Sequence, residues 1–162
     1  MIGFFGAKGE NGYLSNWYPC EFNVDNITFS SSEQFMMYSK AILFGDTTIA
    51  KKILSTDNCK EIKALGREVS NFNSEIWNLN REQIMYNGLL AKFSQNKDLA
   101  DKLRSTGDEL LAECSPYDKI WGIGIGLKDN RRFDKSRWLG QNLLGKTLML
   151  VRYTLNSSEG VT

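Results

Sequence analysis

Two carboxylates in this 162-residue chain stand where they could do acid–base chemistry: Glu33, at the start of a helix, and Asp118, in a loop between Pro116 and Gly122. Lys40 follows Glu33 by two turns on the same helical face, roughly 10 Å away. That is too far for a direct ion pair but suits two groups flanking a ligand, with Met36 and Met37 supplying apolar surface between them. The competing reading makes Glu33 a favourably placed first-turn acid and Lys40 a solvated lysine. On spacing alone, that second reading is the stronger. Trp121 follows Asp118 closely, and Trp77 precedes a long helical segment. An indole face stacks on a nucleobase, worth ~1–3 kcal/mol per base. A carboxylate beside it can stabilise the positive charge of a ribose in an oxocarbenium-like transition state. Tryptophans serve the core more often, but Asp118 lies in a loop, where binding residues concentrate.

The chain contains no histidine. This removes the Ser-His-Asp and Cys-His arrangements and the commonest metal ligand together. Proton transfer then falls to Asp, Glu, Lys, Tyr or Cys, and glycosyl cleavage by carboxylates rises in rank. Cys20, Cys59 and Cys114 are far apart and odd in number, unlike a disulfide framework or a zinc site, and read as thiols in a reducing compartment. No metal and no cofactor is expected. The N-terminus lacks the pattern of a signal peptide and no run of 18 apolar residues occurs, so a cytoplasmic protein without membrane partners is expected.

Lys and Arg number 20 against 19 Asp and Glu, so no global field recruits nucleic acid, and any phosphate recognition must be local. The one concentrated basic stretch holds Lys128, Arg131, Arg132, Lys135 and Arg137, followed by Trp138. An arginine there suits bidentate phosphate binding; a solvated loop partly paired with Asp129 and Asp134 fits as well. Asn142 is placed to offer an amide to a ribose or base and Lys146 to reach a phosphate, or the two are a cap and a surface lysine. The run Gly122-Ile123-Gly124-Ile125-Gly126 lacks the spacing of a dinucleotide fingerprint. Its glycines suit turns or a close backbone approach to a ligand.

The elements that must position these residues are mostly helical. Asp25-Asn26 between 21–24 and 27–29 predicts a tight hairpin. Ser31 and Gln34 resemble a capping box opening a helix to about Phe44, ended by Gly45. Asp46 and Asp57 predict caps of short helices near 47–55 and 58–65, the second stopped by Gly66. Asn80 with Gln83 predicts the cap of a helix through about Phe93, with Trp77 before it. Another short helix starts at Asn96 and stops at Gly107. A strand is expected near 109–113, then a long loop over 121–138 and a final helix over 139–153. The class is α+β: one mainly helical domain, 1–155, with a small antiparallel sheet from the hairpin and the strand near Leu110, and a frayed tail at 156–162.

In this order the motifs resemble the YbiA-like or NADAR family. The likeness is carried by Leu14-Ser15-Asn16-Trp17-Tyr18-Pro19, Ser32-Glu33-Gln34-Phe35 with Lys40-Ala41, Leu65-Gly66-Arg67, Trp77, Met85 with Lys92-Phe93, and Thr106-Gly107-Asp108 before Leu111-Ala112-Glu113. Asp118-Lys119-Ile120-Trp121-Gly122-Ile123-Gly124 and Asn142-Leu143-Leu144-Gly145-Lys146-Thr147-Leu148-Met149 complete it, so the match covers roughly residues 4 to 153. The resemblance implies an N-glycosidase cutting the ribose–amine bond of phosphoribosylaminopyrimidine intermediates of riboflavin synthesis. Alternatively it implies a hydrolase that removes ADP-ribose from guanine in nucleic acid; the same aromatic and basic groups would also serve a non-catalytic module that binds ADP-ribose or a related nucleotide. It implies Glu33 and Asp118 as catalytic, and Asn16, Lys40, Trp77, Trp121, Gly122, Asn142 and Lys146 around a nucleotide-like substrate. Many relatives have Glu-His where this chain has Glu33-Gln34, so an imidazole role cannot operate here; an amide replaces it only if that role is structural.

Overall fold

The computed structural model describes residues 1–158. In chain order its elements are β1 (Ile2–Phe4), β2 (Phe22–Val24), β3 (Ile27–Phe29), α1 (Ser32–Leu43), α2 (Thr47–Leu54), α3 (Cys59–Arg67), α4 (Ser74–Gln95), α5 (Lys97–Ser105), β4 (Leu111–Glu113) and α6 (Leu143–Ser158). This is the expected α+β, mainly helical class. The chain groups into two compact units: a central one, Pro19–Gln95, and a terminal one formed by Met1–Tyr18 and the segment from Asn96 onward.

In the central unit, β2 and β3 form the predicted hairpin, Phe22 opposite Phe29 and Val24 opposite Ile27. Asp25 and Asn26 both take positive φ, 50° and 65°, the turn geometry that matches strand twist. Phe22, Phe29 and Phe35 pack ring against ring at 5.1–6.1 Å. Ser31 caps α1, its Oγ accepting the Gln34 N–H at 3.1 Å. The return half of the box differs from expectation: Gln34 Oε1 reaches one residue further and accepts from the Ser30 N–H at 2.8 Å. Gly45 ends α1 as predicted, with φ 73°. The Gly45 and Asp46 amides bond back to the Ile42 and Ala41 carbonyls, satisfying the end of the helix. Asp46 then caps α2 through the Ile49 N–H at 3.0 Å.

Two helix boundaries move. Asn58, in place of Asp57, caps α3 by accepting the Glu61 N–H. The helix then runs through Gly66 to Arg67. Gly66 is no stop signal; a Cβ there would overlap the sulfur of Met37, so this glycine lets α3 approach α1 closely. α4 begins at Ser74, with Asn73 Oδ1 accepting the Ile76 N–H at 3.1 Å. Asn80 lies inside it and donates to the Ile76 carbonyl, which puts Trp77 in the first turn.

The buried face of α4 carries Met85, Gly88, Leu89 and Phe93, and with them Lys92, which is fully buried. Lys92 Nζ lies 5.1 Å from the Phe93 ring centroid. Burial pushes its pKa down from 10.5 to about 8, against an upward pull from the Cys20 thiol. The folded value lies below the unfolded one, so the unfolded chain holds more protons between about pH 8 and 10.5. Within that window this group's contribution to stability grows as pH rises. Urea unfolding of wild type and Lys92→Met at pH 7.5 and 10 should therefore show the wild type gaining on the variant at the higher pH; a gap independent of pH would contradict this account.

In the terminal unit, β1 and β4 pair in parallel, Ile2 opposite Leu111 and Phe4 opposite Glu113. The strand near Leu110 thus does not join the hairpin's sheet; the described residues form two separate two-stranded pairs. α6 starts at Leu143, later than expected, because 139–142 is non-helical and bonded to the preceding loop, Leu139 N–H to Ile123 O and Gln141 N–H to Lys119 O. It continues past Tyr153 to Ser158, so the expected fraying from Asn156 is not seen over the described residues; 159–162 lie outside them. Arg152 donates to Thr106 Oγ1 at 2.7 Å and ties α6 to the end of α5. A Cβ at Gly145 would overlap the Leu111 carbonyl oxygen, which is strand backbone and cannot swing aside. Gly145→Ala should cost about 1–3 kcal/mol of stability, although alanine is the better helix former by about 1 kcal/mol; a thermal midpoint equal to wild type would count against this packing.

Candidate active site

Glu33 occupies the first turn of α1 and is 5% exposed. The helix N-terminus favours a carboxylate there. Lys40 is no solvated lysine: its Nζ donates to the Gly66 carbonyl at 2.7 Å. It also lies 4.6 Å from the Phe72 ring centroid and 5.8 Å from that of Trp77. Burial lowers the Lys40 pKa, Arg67 lowers it further, and the Glu33 charge pulls the other way. The structure thus decides against the reading of Glu33 and Lys40 as ordinary surface charges. Trp77 is 9% exposed, closed into the unit. The open aromatic of this cluster is one that sequence reasoning missed: Phe72, 47% exposed and edge-on to Phe44 at 5.4 Å. Its signal was present in Ser70-Asn71-Phe72-Asn73, a lone aromatic among turn-formers, where Asn71 takes φ 58°. Arg67→Gln should raise the Lys40 pKa, read from side-chain carbon shifts in an NMR titration; an unchanged or lowered value would remove Arg67 from the cluster's electrostatics.

The loop after β4 is wound on two side chains. Ser115 Oγ accepts from the Tyr117 and Asp118 amides at 3.2 and 3.0 Å. Asp118 Oδ1 accepts from the Ile120 and Trp121 amides at 2.9 and 2.8 Å. Asp118 is thereby fixed in orientation, and its Oδ2 has no hydrogen-bond partner among the described residues. Trp121 is half-buried, and its carbonyl accepts the Leu144 N–H at the start of α6. A Cβ at Gly122 would lie 2.9 Å from both the Asp118 and Glu113 carbonyl oxygens, so the chain's own packing requires that glycine. Ile123 and Ile125 enter the core beside Ala112 and Cys114, which explains the alternating run.

Asn142 is 1% exposed with φ 55°. Its Oδ1 accepts the Glu113 N–H at 3.1 Å and its Nδ2 donates to the Leu111 carbonyl at 2.9 Å. Both ends of the amide are taken by β4, which gives Asn142 a positioning role in place of the expected ligand contact. Asn16 is 7% exposed, after the 3₁₀ turn Gly12–Leu14 and beside the exposed Trp17. Lys146 is exposed on the first turn of α6. Among the basic residues, Arg131 grips Asp129 through Nε and Nη2 and pulls that carboxyl down to about 2. The Arg132 guanidinium lies 4.1 Å from the Phe133 ring. The expected pairing with Asp129 is present at Arg131, whereas Asp134 accepts from Ser136.

Glu33, Lys40 and Trp77 therefore belong to the central unit, and Asn16, Asp118, Trp121, Gly122, Asn142 and Lys146 to the terminal one. Among the described residues no three His, Cys, Asp or Glu side chains gather as a metal ion would require. No helix there is long and apolar enough to cross a membrane.

The sequence profile of the NADAR domain matches residues 3–156. The chain belongs to the NADAR domain family. Among NADAR relatives, an N-glycosidase of Acanthamoeba polyphaga mimivirus is 43% identical over 157 residues, 92% of each chain. A riboflavin biosynthesis protein of Vibrio vulnificus is 32% identical over 95% of this chain, which spans 38% of that longer protein. The NMR structure of YbiA from Escherichia coli superposes with a TM-score of 0.82 at 27% identity, covering 99% of this chain and 88% of that one.

Proposed function

We propose that this NADAR chain is an N-glycosidase that hydrolyses the ribose–nitrogen bond of a phosphoribosylaminopyrimidine. The observation that carries the reading is the 43% identity, over 92% of both chains, to a protein named an N-glycosidase. The riboflavin-type substrate rests on the likeness to a relative named for riboflavin biosynthesis. The geometry adds a suitable carboxylate: Glu33, buried at a helix N-terminus in a cluster that also holds Lys40 and Trp77. As the C1′–N bond lengthens, positive charge grows on the ribose, and a carboxylate stabilises it. Glu33 accepts a proton from the water whose oxygen bonds to C1′. The nitrogen leaves with the bonding pair and takes up a proton, giving free ribose 5-phosphate and the aminopyrimidine. Asp118, oriented by two backbone amides with Oδ2 uncommitted, is the competing assignment for the same role.

Glu33→Gln should lower kcat by about 10²–10⁴-fold on a phosphoribosylaminopyrimidine while leaving KM closer to wild type. If folded Glu33→Gln and Asp118→Asn variants both keep full turnover, the mechanism is wrong. A parallel reaction with DNA carrying ADP-ribosylated guanine separates the substrate classes, since cleavage there alone would move this chain to ADP-ribosyl hydrolysis. Binding of ADP-ribose with no cleavage in either reaction would make it a binding module.

A further inference from the structure

A depression of about 320 Å³ opens on the terminal unit, lined by Leu110, Lys135, Trp138, Gln141, Lys146 and Met149, with the backbone of 140–142 as one wall. Volumes of this order hold small ligands. We propose that this depression binds a phosphate monoester carried next to an aromatic ring. The inference rests on the glycosidase reading only in taking that phosphate to be the substrate's own.

Three features favour the assignment. First, the charge is one-sided: the lining holds two ammonium groups and no carboxylate. Neither Lys135 nor Lys146 makes an ion pair among the described residues. In the basic stretch beside it, Arg131 is engaged by Asp129 and Arg132 lies against Phe133, and Asp134 Oδ1 accepts from the Ser136 amide and hydroxyl. Two free ammonium groups on a shallow floor are point charges suited to a phosphate.

Second, the aromatic element is held in place. Trp138 Nε1 donates to the Arg132 carbonyl at 2.8 Å, and the side chain packs on the cluster of Ala112, Cys114, Ile123 and Ile125. Leu110 and Met149 complete an apolar floor that a ring can cover.

Third, the wall is continuous with the loop that carries Asp118 and Trp121. The Gln141 amide donates to the Lys119 carbonyl at 2.8 Å and the Asn142 amide to the Gly122 carbonyl at 3.0 Å. Gly140 packs so tightly on this loop that a Cβ would lie 2.8 Å from Lys119 Cα. A phosphate held by Lys135 and Lys146 is thus anchored on a surface rigidly joined to that loop, on ground no sequence motif marks as a unit.

The test is titration calorimetry of the full chain with cytidine 5′-monophosphate, cytidine, inorganic phosphate and a short single-stranded oligonucleotide lacking terminal phosphates. The monophosphate should bind roughly tenfold or more tightly than cytidine, as a charge-assisted contact implies. The Lys135→Ala, Lys146→Ala double variant should abolish that preference, and Lys135→Arg, Lys146→Arg should keep it. Equal binding of nucleotide and nucleoside, or a preference that survives the double alanine variant, would overturn the proposal. Tighter binding of the oligonucleotide than of the monophosphate would overturn the monoester assignment. A wild type that binds the nucleotide yet cleaves nothing would sink the glycosidase reading alone. A double alanine variant with unchanged KM for a cleaved, phosphorylated substrate would sink this inference alone.

Discussion

The side-chain amide of Gln34 holds the central unit together at its most consequential point. Its Oε1 accepts from the Ser30 N–H and hydroxyl, and its Nε2 donates to the carbonyls of Ile53 and Thr56. One buried amide thus ties the end of the hairpin, the first turn of α1 and the exit of α2. Glu33 is its neighbour in the same first turn of α1. Buried polar groups of this kind are costly if half satisfied and rigid when complete. Gln34, 4% exposed, is bonded at both ends. It therefore fills a structural role.

Around that anchor, α1 is approached by its neighbours at two glycines. Gly66 of α3 fits against Met37, and Gly88 of α4 fits against the ring of Phe35. Close approach at Gly66 is also what puts its carbonyl within reach of Lys40. A packing requirement and the anchoring of Lys40 are met by the same missing side chain. The lowered affinity of Lys40 for its proton follows, because burial and the Arg67 charge outweigh the pull of Glu33.

The terminal unit repeats the principle with a different amide. Asn142 takes the left-handed conformation, interrupts the approach to α6 and clamps both faces of its amide on β4. Gly145 then lets α6 sit on the same strand. Asp118 organises the adjoining loop through two backbone amides that donate to its Oδ1. Family membership along residues 3–156 is consistent with motifs of this sort being spread across the chain.

The local features were open to reading from sequence. The Asp25-Asn26 turn, the Ser31 and Asp46 caps and the Gly45 stop depend on side chains meeting backbone a few residues away, and spacing alone contains that information. The type of Glu33 and the absence of histidine likewise narrowed the chemistry before any geometry was known. What spacing could not contain is which distant group meets which. Gly66 reads as a helix stop until Met37 is seen against it, and Asn142 reads as a free amide until β4 takes both its ends. The parallel pairing of β1 with β4 joins three-residue strands far apart in the chain, and no periodicity that short identifies a partner. Phe72 becomes part of the Lys40 cluster only through the fold, because its contacts come from α1 and the residue that follows it. Residue types and local hydrogen bonds are properties of the sequence; burial, and the shifts in proton affinity that burial causes, belong to the packed structure alone.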